Sequence, residues 1–295
     1  MDSIDHDPLK GFLYSLGGVV LLSSNFVTAK YALQGFNPET FSLVWTSAAA
    51  LYSFGIAAAV KSSRSQLFPR QSMREMTLMG FATAVCMVFA WTGLSVLDPV
   101  FSSFLWRFFP VLAIFAGVFF LKERITRNEL FAMMIMLSGS LWSVAGRWES
   151  VGKGVILTLL AGCAGALQLL IAKSQTGLVH ANVLAAYRVG IGAAFIALWV
   201  FASNKADFSV EARYWYVTLF GAFLGPCASF LLTFRSYRYW TLAQSSIVLV
   251  LQPLLVLPLT YAFLRTLPCT QELFGGLVIL FGALWLTIGQ IKKSR

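Results

Sequence analysis

The sequence is poor in charge, and poorest in acids. Of 295 residues only 12% are Asp, Glu, Lys or Arg, with 12 acidic against 22 basic, where ordinary globular domains carry roughly 25% charged residues. Histidine is scarcer still, at His6 and His180 alone. A zinc hydrolase needs clustered histidines with a glutamate, and a serine or cysteine enzyme needs a base beside its nucleophile. Neither set is present. The chain is therefore expected not to be an enzyme, with no catalytic residue, metal site or other cofactor. Four cysteines, Cys86, Cys163, Cys227 and Cys269, stand too far apart for a metal spacing or a disulfide framework.

What fills the chain instead is apolar, at 58% of residues. A soluble fold of this length cannot hide that much apolar surface, and disordered chains are poor in these residues. The composition predicts an all-α integral membrane protein. Ten apolar runs of spanning length occur, at 11–33, 39–60, 76–97, 99–121, 128–146, 153–174, 181–202, 214–237, 242–264 and 271–291. The leading segment carries Asp2, Asp5 and Asp7, unlike the positive start of a cleavable signal, so the first helix is expected to be retained.

The net charge of +10 would favour nucleic acid in a soluble chain. Here the basic residues sit in short gaps between apolar runs, so the expected partners are the lipid bilayer and a small-molecule substrate, with no nucleic acid. With the N-terminus inside, inner segments hold fourteen basic residues and outer segments six, while Arg107 and Arg188 fall within spans. That bias predicts both termini in the cytoplasm.

Shifted by 143 residues, the chain aligns with itself without a gap. Lys10 meets Lys153, Lys30 meets Lys173, Pro110 meets Pro253, Glu129-Leu130-Phe131 meets Glu272-Leu273-Phe274, and Leu141-Trp142 meets Leu284-Trp285. Lys, Pro, Glu and Trp in one register mark a tandem repeat, with domains at 11–146 and 153–291. Five spans per repeat is an odd number, so the second copy must enter the membrane from the opposite side. Ten transmembrane helices in two inverted five-helix repeats are expected.

The residues resemble the EamA family of the drug/metabolite transporter superfamily. The resemblance rests on the tandem five-helix repeats, on Ser24-Asn25-Phe26-Val27-Thr28-Ala29-Lys30 in span one, on span four from Pro110 to Leu121-Lys122-Glu123-Arg124, and on Gln252-Pro253-Leu254 in span nine. It implies an inner-membrane carrier exporting amino acids, other metabolites or drugs by alternating access. It also implies that spans one, three, four, six, eight and nine line the route. Trp45 departs from the family's frequent arginine, which the second repeat keeps as Arg188, and Thr266 replaces the acid kept as Glu123.

Candidate site residues follow from the same spans. Pro110 and Pro253 each remove a helix bond and free the carbonyl four residues earlier, at Trp106 and Leu249. Interrupted helices belong beside protein or a water-filled cavity, and paired interruptions in inverted halves point to a central site. Helical spacing sets Ser103, Trp106, Arg107 and Pro110 on one stripe, and brings Gln252 to span nine's. Asn25, Thr28, Gln168, Met87, Trp91 and Arg188 complete the candidate substrate contacts, and polar groups beside aromatics suit a small amphipathic ligand. The same serines and amides are equally suited to bridging helices.

Arg107 is the sharpest candidate, because an intramembrane cation is costly unless paired or wet. Its fork suits a carboxylate; its structural alternatives are a loop acid such as Asp98, or the headgroups. Arg188 reads more readily as structural. Lys30 and Lys173 are placed at opposite mouths, snorkelling or gathering anions. Thr126 with Glu129, and Thr270 with Glu272, read as helix caps. Gly221 and Gly225 form a GxxxG packing motif before Pro226, and Gly225-Pro226 is also a candidate gate hinge.

No acid lies at the midplane, which disfavours a proton-coupled multidrug exporter against a carrier of neutral, zwitterionic or anionic metabolites. A receptor or scaffold is the alternative of another class. One chain suffices for a carrier, and a homodimer is compatible with it. A reporter fused at residue 68 should give a cytoplasmic signal; a periplasmic one would reverse the assigned orientation.

Overall fold

Hydrocarbon offers the backbone no hydrogen-bond partner, so a spanning segment must satisfy itself as helix. A computed structural model describes residues 8–109, 111–112, 126–175, 178–229, 232, 239, 248 and 250–294. Its principal helices are α1 (Pro8–Ala32), α2 (Pro38–Ala59), α3 (Met73–Val96), α4 (Pro99–Leu105), α5 (Arg127–Val144), α6 (Trp148–Ser174), α7 (Ala181–Ala202), α8 (Ala212–Phe223), α9 (Gln252–Leu264) and α10 (Thr270–Ser294). Each overlaps one expected span. Among the described residues, α1, α2, α3, α6, α7 and α10 supply six helices long and apolar enough to cross a membrane. The expected span four is interrupted instead: α4 passes into a 3-10 turn at Trp106–Phe108. Span eight also changes winding, with α8 entering a π-helical turn at Leu224–Ser229.

Local chemistry sets the helix starts. Asn37 caps α2 by accepting from Thr40 N at 2.7 Å, with Pro38 in the first turn. Asp98 caps α4 in the same way, accepting from Val100 N at 2.8 Å. Thr126 and Glu129 form the expected capping box on α5. On α10 the partner differs from expectation: Glu272 accepts from Cys269 N at 3.0 Å, so Cys269 rather than Thr270 is the capping position. Between α5 and α6 the chain turns within three residues, through Gly146 at a φ of +69° that favours glycine.

Helices in corresponding positions of the two repeats pack against each other and run antiparallel. Trp142, late in α5, meets Phe274, early in α10, with ring centroids 6.2 Å apart. The 143-residue shift converts that pair into Phe131 and Trp285, which meet at 5.7 Å. Between these pairs, Gly139 abuts the Gly275 carbonyl and Gly282 abuts the Ala132 carbonyl, again related by the shift. In the α2–α7 pair, Asn37 Nδ2 donates to Lys205 O at 3.0 Å at one end, and Ser62 Oγ lies 3.1 Å from His180 Nε2 at the other. These residues also exchange under the shift.

The remaining seams trade places in the same manner. α1 packs on α8 and its π turn, as α6 packs on α3; α2 packs on α8, as α7 packs on α3. Asn25 rests on Gly225, while Gln168 Nε2 donates to Ala82 O at 3.3 Å, a pair that the shift relates to the first. Outward faces carry large apolar side chains such as Leu51, Leu198 and Phe263, suited to lipid. A Cβ on Gly275 would strike Ser143 and the Gly139 carbonyl. Gly275→Val should therefore destabilise the fold by roughly 1–3 kcal/mol, read as a lowered melting temperature in detergent.

Candidate substrate site

Expected contacts from three spans converge where α1, α2, α3 and α8 meet. Thr28 Oγ1 is bound back to Ser24 O at 2.9 Å and lies with Trp45 against Gly221. Asn25, one turn earlier, lies against Gly225, and its Oδ1 is buried with no hydrogen-bond partner among the described residues. The GxxxG motif thus receives the polar face of α1, as its small residues permit. Trp91 is only 9% exposed, and its ring meets Trp45 at 5.2 Å and Phe41 at 5.4 Å. Its indole N–H is buried without an acceptor among the described residues. Met87 packs half-buried on this aromatic cluster.

Sequence reasoning flagged Trp45 as a departure and gave it no role; the structure makes it the centre of the cluster. The available signal was its place one helical turn after Phe41, on the face turned toward the first-helix polar residues.

A second group forms where α4 and α9 approach. Arg107 is 8% exposed, Gln252 is 2% exposed, and Arg107 Nη2 donates to Gln252 Oε1 at 2.6 Å. One partner of Arg107 is therefore an amide in the other repeat. Asp98 is occupied as the α4 cap, and burial pushes its carboxyl above the ordinary range while the Val100 and Phe101 amides pull it down.

The expected stripe on span four does not hold. Ser103 is fully buried and donates to Val100 O at 2.6 Å within its own helix. Trp106 packs with Cys86, Ala90 and Ala161, between α3 and α6. Past Leu105 the winding tightens into the 3-10 turn, where residues three apart align and residues four apart, such as Ser103 and Arg107, no longer do. That turn also answers the carbonyl expected to be freed at Trp106, which accepts from Phe109 N–H. Pro110 and Leu249 lie outside the described residues.

Pro253 stands in the first turn of α9, where its missing N–H costs little. It follows a break rather than bending a continuous helix. Gly225 and Pro226 both lie in the π-helical turn, while Thr83, the counterpart of Pro226, lies within the unbroken α3. Such turns in otherwise α-helical segments are frequent at functional sites.

Two further expected contacts lie on α6 and α7. Gln168 bridges α6 to α3 through the Ala82 carbonyl, and Arg188 is partly buried on α7. Lys30, expected at a mouth, is bound at a helix end. Its Nζ donates to Leu94 O, Ser95 O and Leu97 O at 2.9, 2.9 and 2.7 Å, closing the carbonyl end of α3.

Comparison with known proteins decides the family. The EamA-like transporter family matches residues 9–145 and again residues 152–288. The chain belongs to that family. The two matches begin 143 residues apart, the offset that relates the paired contacts above. A solved structure titled only as the crystal structure of a protein is similar in fold, with a TM-score of 0.64 at 15% identity, across 97% of this chain and 99% of that one. No curated protein matches the chain. This EamA-like protein is thus a multi-pass membrane protein of a transporter family.

Lys30→Met should leave three carbonyls without their ammonium donor. A loss of roughly 1–3 kcal/mol in stability is expected, measured as detergent-phase melting.

Proposed function

We propose that this EamA-like protein is an inner-membrane carrier that exports a small metabolite, an amino acid or a related amphipathic compound, by alternating access. Ten transmembrane helices form two inverted repeats, with both termini in the cytoplasm. The antiparallel α2–α7 and α5–α10 pairs support inversion, because helices exchanged by a two-fold axis in the membrane plane run in opposite directions. The excess of basic residues on inner segments supports the orientation.

One observation carries the substrate reading: a buried guanidinium, Arg107, at the end of one interrupted helix faces Gln252 at the start of another. An intramembrane cation beside a helix interruption belongs by default to a substrate path. Its planar fork recognises a carboxylate. The Asn25, Thr28, Met87 and Trp91 group offers an amide and aromatic surface to the rest of an amphipathic solute. A single chain holds all these parts.

Purified protein in liposomes should accelerate the flux of amino acids without altering them chemically. Unchanged permeability across a broad metabolite panel would sink the carrier reading. Arg107→Gln should impair carboxylate solutes at least roughly tenfold while sparing neutral analogues, the equivalent of ~1.4 kcal/mol. Equal loss for both would instead indicate damage to the fold.

A further inference from the structure

We infer that His180 makes one end of the α2–α7 pair a proton-operated catch, closed when the imidazole is neutral and released when it is charged. The equivalent catch at the other end, built on Asn37, ignores pH. This goes beyond the carrier reading and holds whatever the solute; only its placement on the cytoplasmic side rests on the orientation proposed above.

Both ends are built alike. Asn37 caps α2 with its side-chain oxygen and donates from Nδ2 to Lys205 O at 3.0 Å, just after α7. His180 caps α7 by accepting from Asn182 N at Nδ1, 3.2 Å away, and turns Nε2 to Ser62 Oγ at 3.1 Å, just after α2. The 143-residue shift carries one arrangement onto the other. Each needs a side chain that accepts on one atom and donates from another. An amide does this permanently, whereas an imidazole does it only as the neutral tautomer with its proton on Nε2.

A second proton goes to Nδ1, the atom that caps the helix. Two N–H donors then face each other, and the new positive charge stands at the helix end where the dipole is already positive. The ring leaves its place, and Ser62 loses its partner. The charged residues on the adjoining elements are Lys61 and Arg64 on the short helix Lys61–Arg64, Arg74 and Glu75 early in α3, Lys173 near the end of α6, and Arg188 two turns along α7. Among the described residues none pairs with the ring, so no carboxylate holds an imidazolium there. His180 is half-buried, and aqueous protons reach it. The catch secures the α2–α3 connection, which also lends Gln66 Oε1 to His180 N at 2.7 Å and Leu67 O to the Tyr187 hydroxyl at 3.0 Å.

Hydrogen–deuterium exchange in detergent, corrected for the intrinsic effect of pH on exchange, tests this at about pH 7.5 and about pH 5.5, across the range where imidazoles change charge. In the wild type, amide protection at the start of α7 and across residues 60–67 should fall at least roughly fivefold on acidification, the effect of losing a cap. Residues 37–41 and 203–207, at the Asn37 end, should hold theirs. His180→Asn should be equally protected at both pH values, and His180→Ala should be as open at the higher pH as the wild type is at the lower. Wild-type protection that ignores pH, or equal loss at both ends, overturns the inference. So does a folded His180→Asn that loosens with acid as the wild type does, or a His180→Ala as protected as the wild type at the higher pH. None of these readouts depends on solute flux, so they separate the catch from the carrier reading.

Discussion

Helices surrounded by hydrocarbon gain little by hiding apolar side chains from one another, so their association depends on how closely backbones can approach. In this protein the approach is made at glycines. Gly139 and Gly275 bring α5 against α10, and Gly221 and Gly225 admit Thr28, Trp45 and Asn25 onto α8 and its π turn. The arrangement of polar groups at the centre follows from those contacts. Asn25 is aimed where it is because nothing larger than hydrogen stands on Gly225.

Duplication then fixes the contacts in pairs. Trp142 with Phe274 and Phe131 with Trp285 are one contact written twice, and so are Asn37 with Lys205 and Ser62 with His180. Substitution has since altered what the pairs do. Asn25 lies against glycine with its oxygen unsatisfied among the described residues, whereas its counterpart Gln168 is satisfied by the Ala82 carbonyl. One copy keeps a candidate ligand contact, and the other has become a helix bridge.

Much of this was legible in the sequence because bilayer thickness and repetition constrain it strongly. The run 181–202 is a helix over the same bounds, and the Thr126–Glu129 cap is where its spacing put it. The side chains were less legible where winding changes. The predicted stripe of Ser103, Trp106 and Arg107 assumes α-geometry through the approach to Pro110, where the chain instead winds as a 3-10 turn, and Trp106 packs between α3 and α6. The partners of Lys30 were hidden for a different reason. Helix periodicity locates a cation along the membrane but not the carbonyls of another helix that reach it, and those lie 64 to 67 residues further on. Trp45 was visible only as an exception, since its role depends on α3 carrying Trp91 to within 5.2 Å.

The third helix of each repeat shows where equivalence ends. A carrier assembled from two identical inverted copies would have inward-open and outward-open forms of equal free energy, each carried into the other by a half-turn about an axis in the membrane plane. Here α3 is wound uniformly from Met73 to Val96, while its twin breaks into a π turn at Leu224–Ser229, and Trp45 stands opposite Arg188 in the duplicated register. In a carrier of that kind such differences would lift the degeneracy and set a preferred side to rest on even before any gradient is applied.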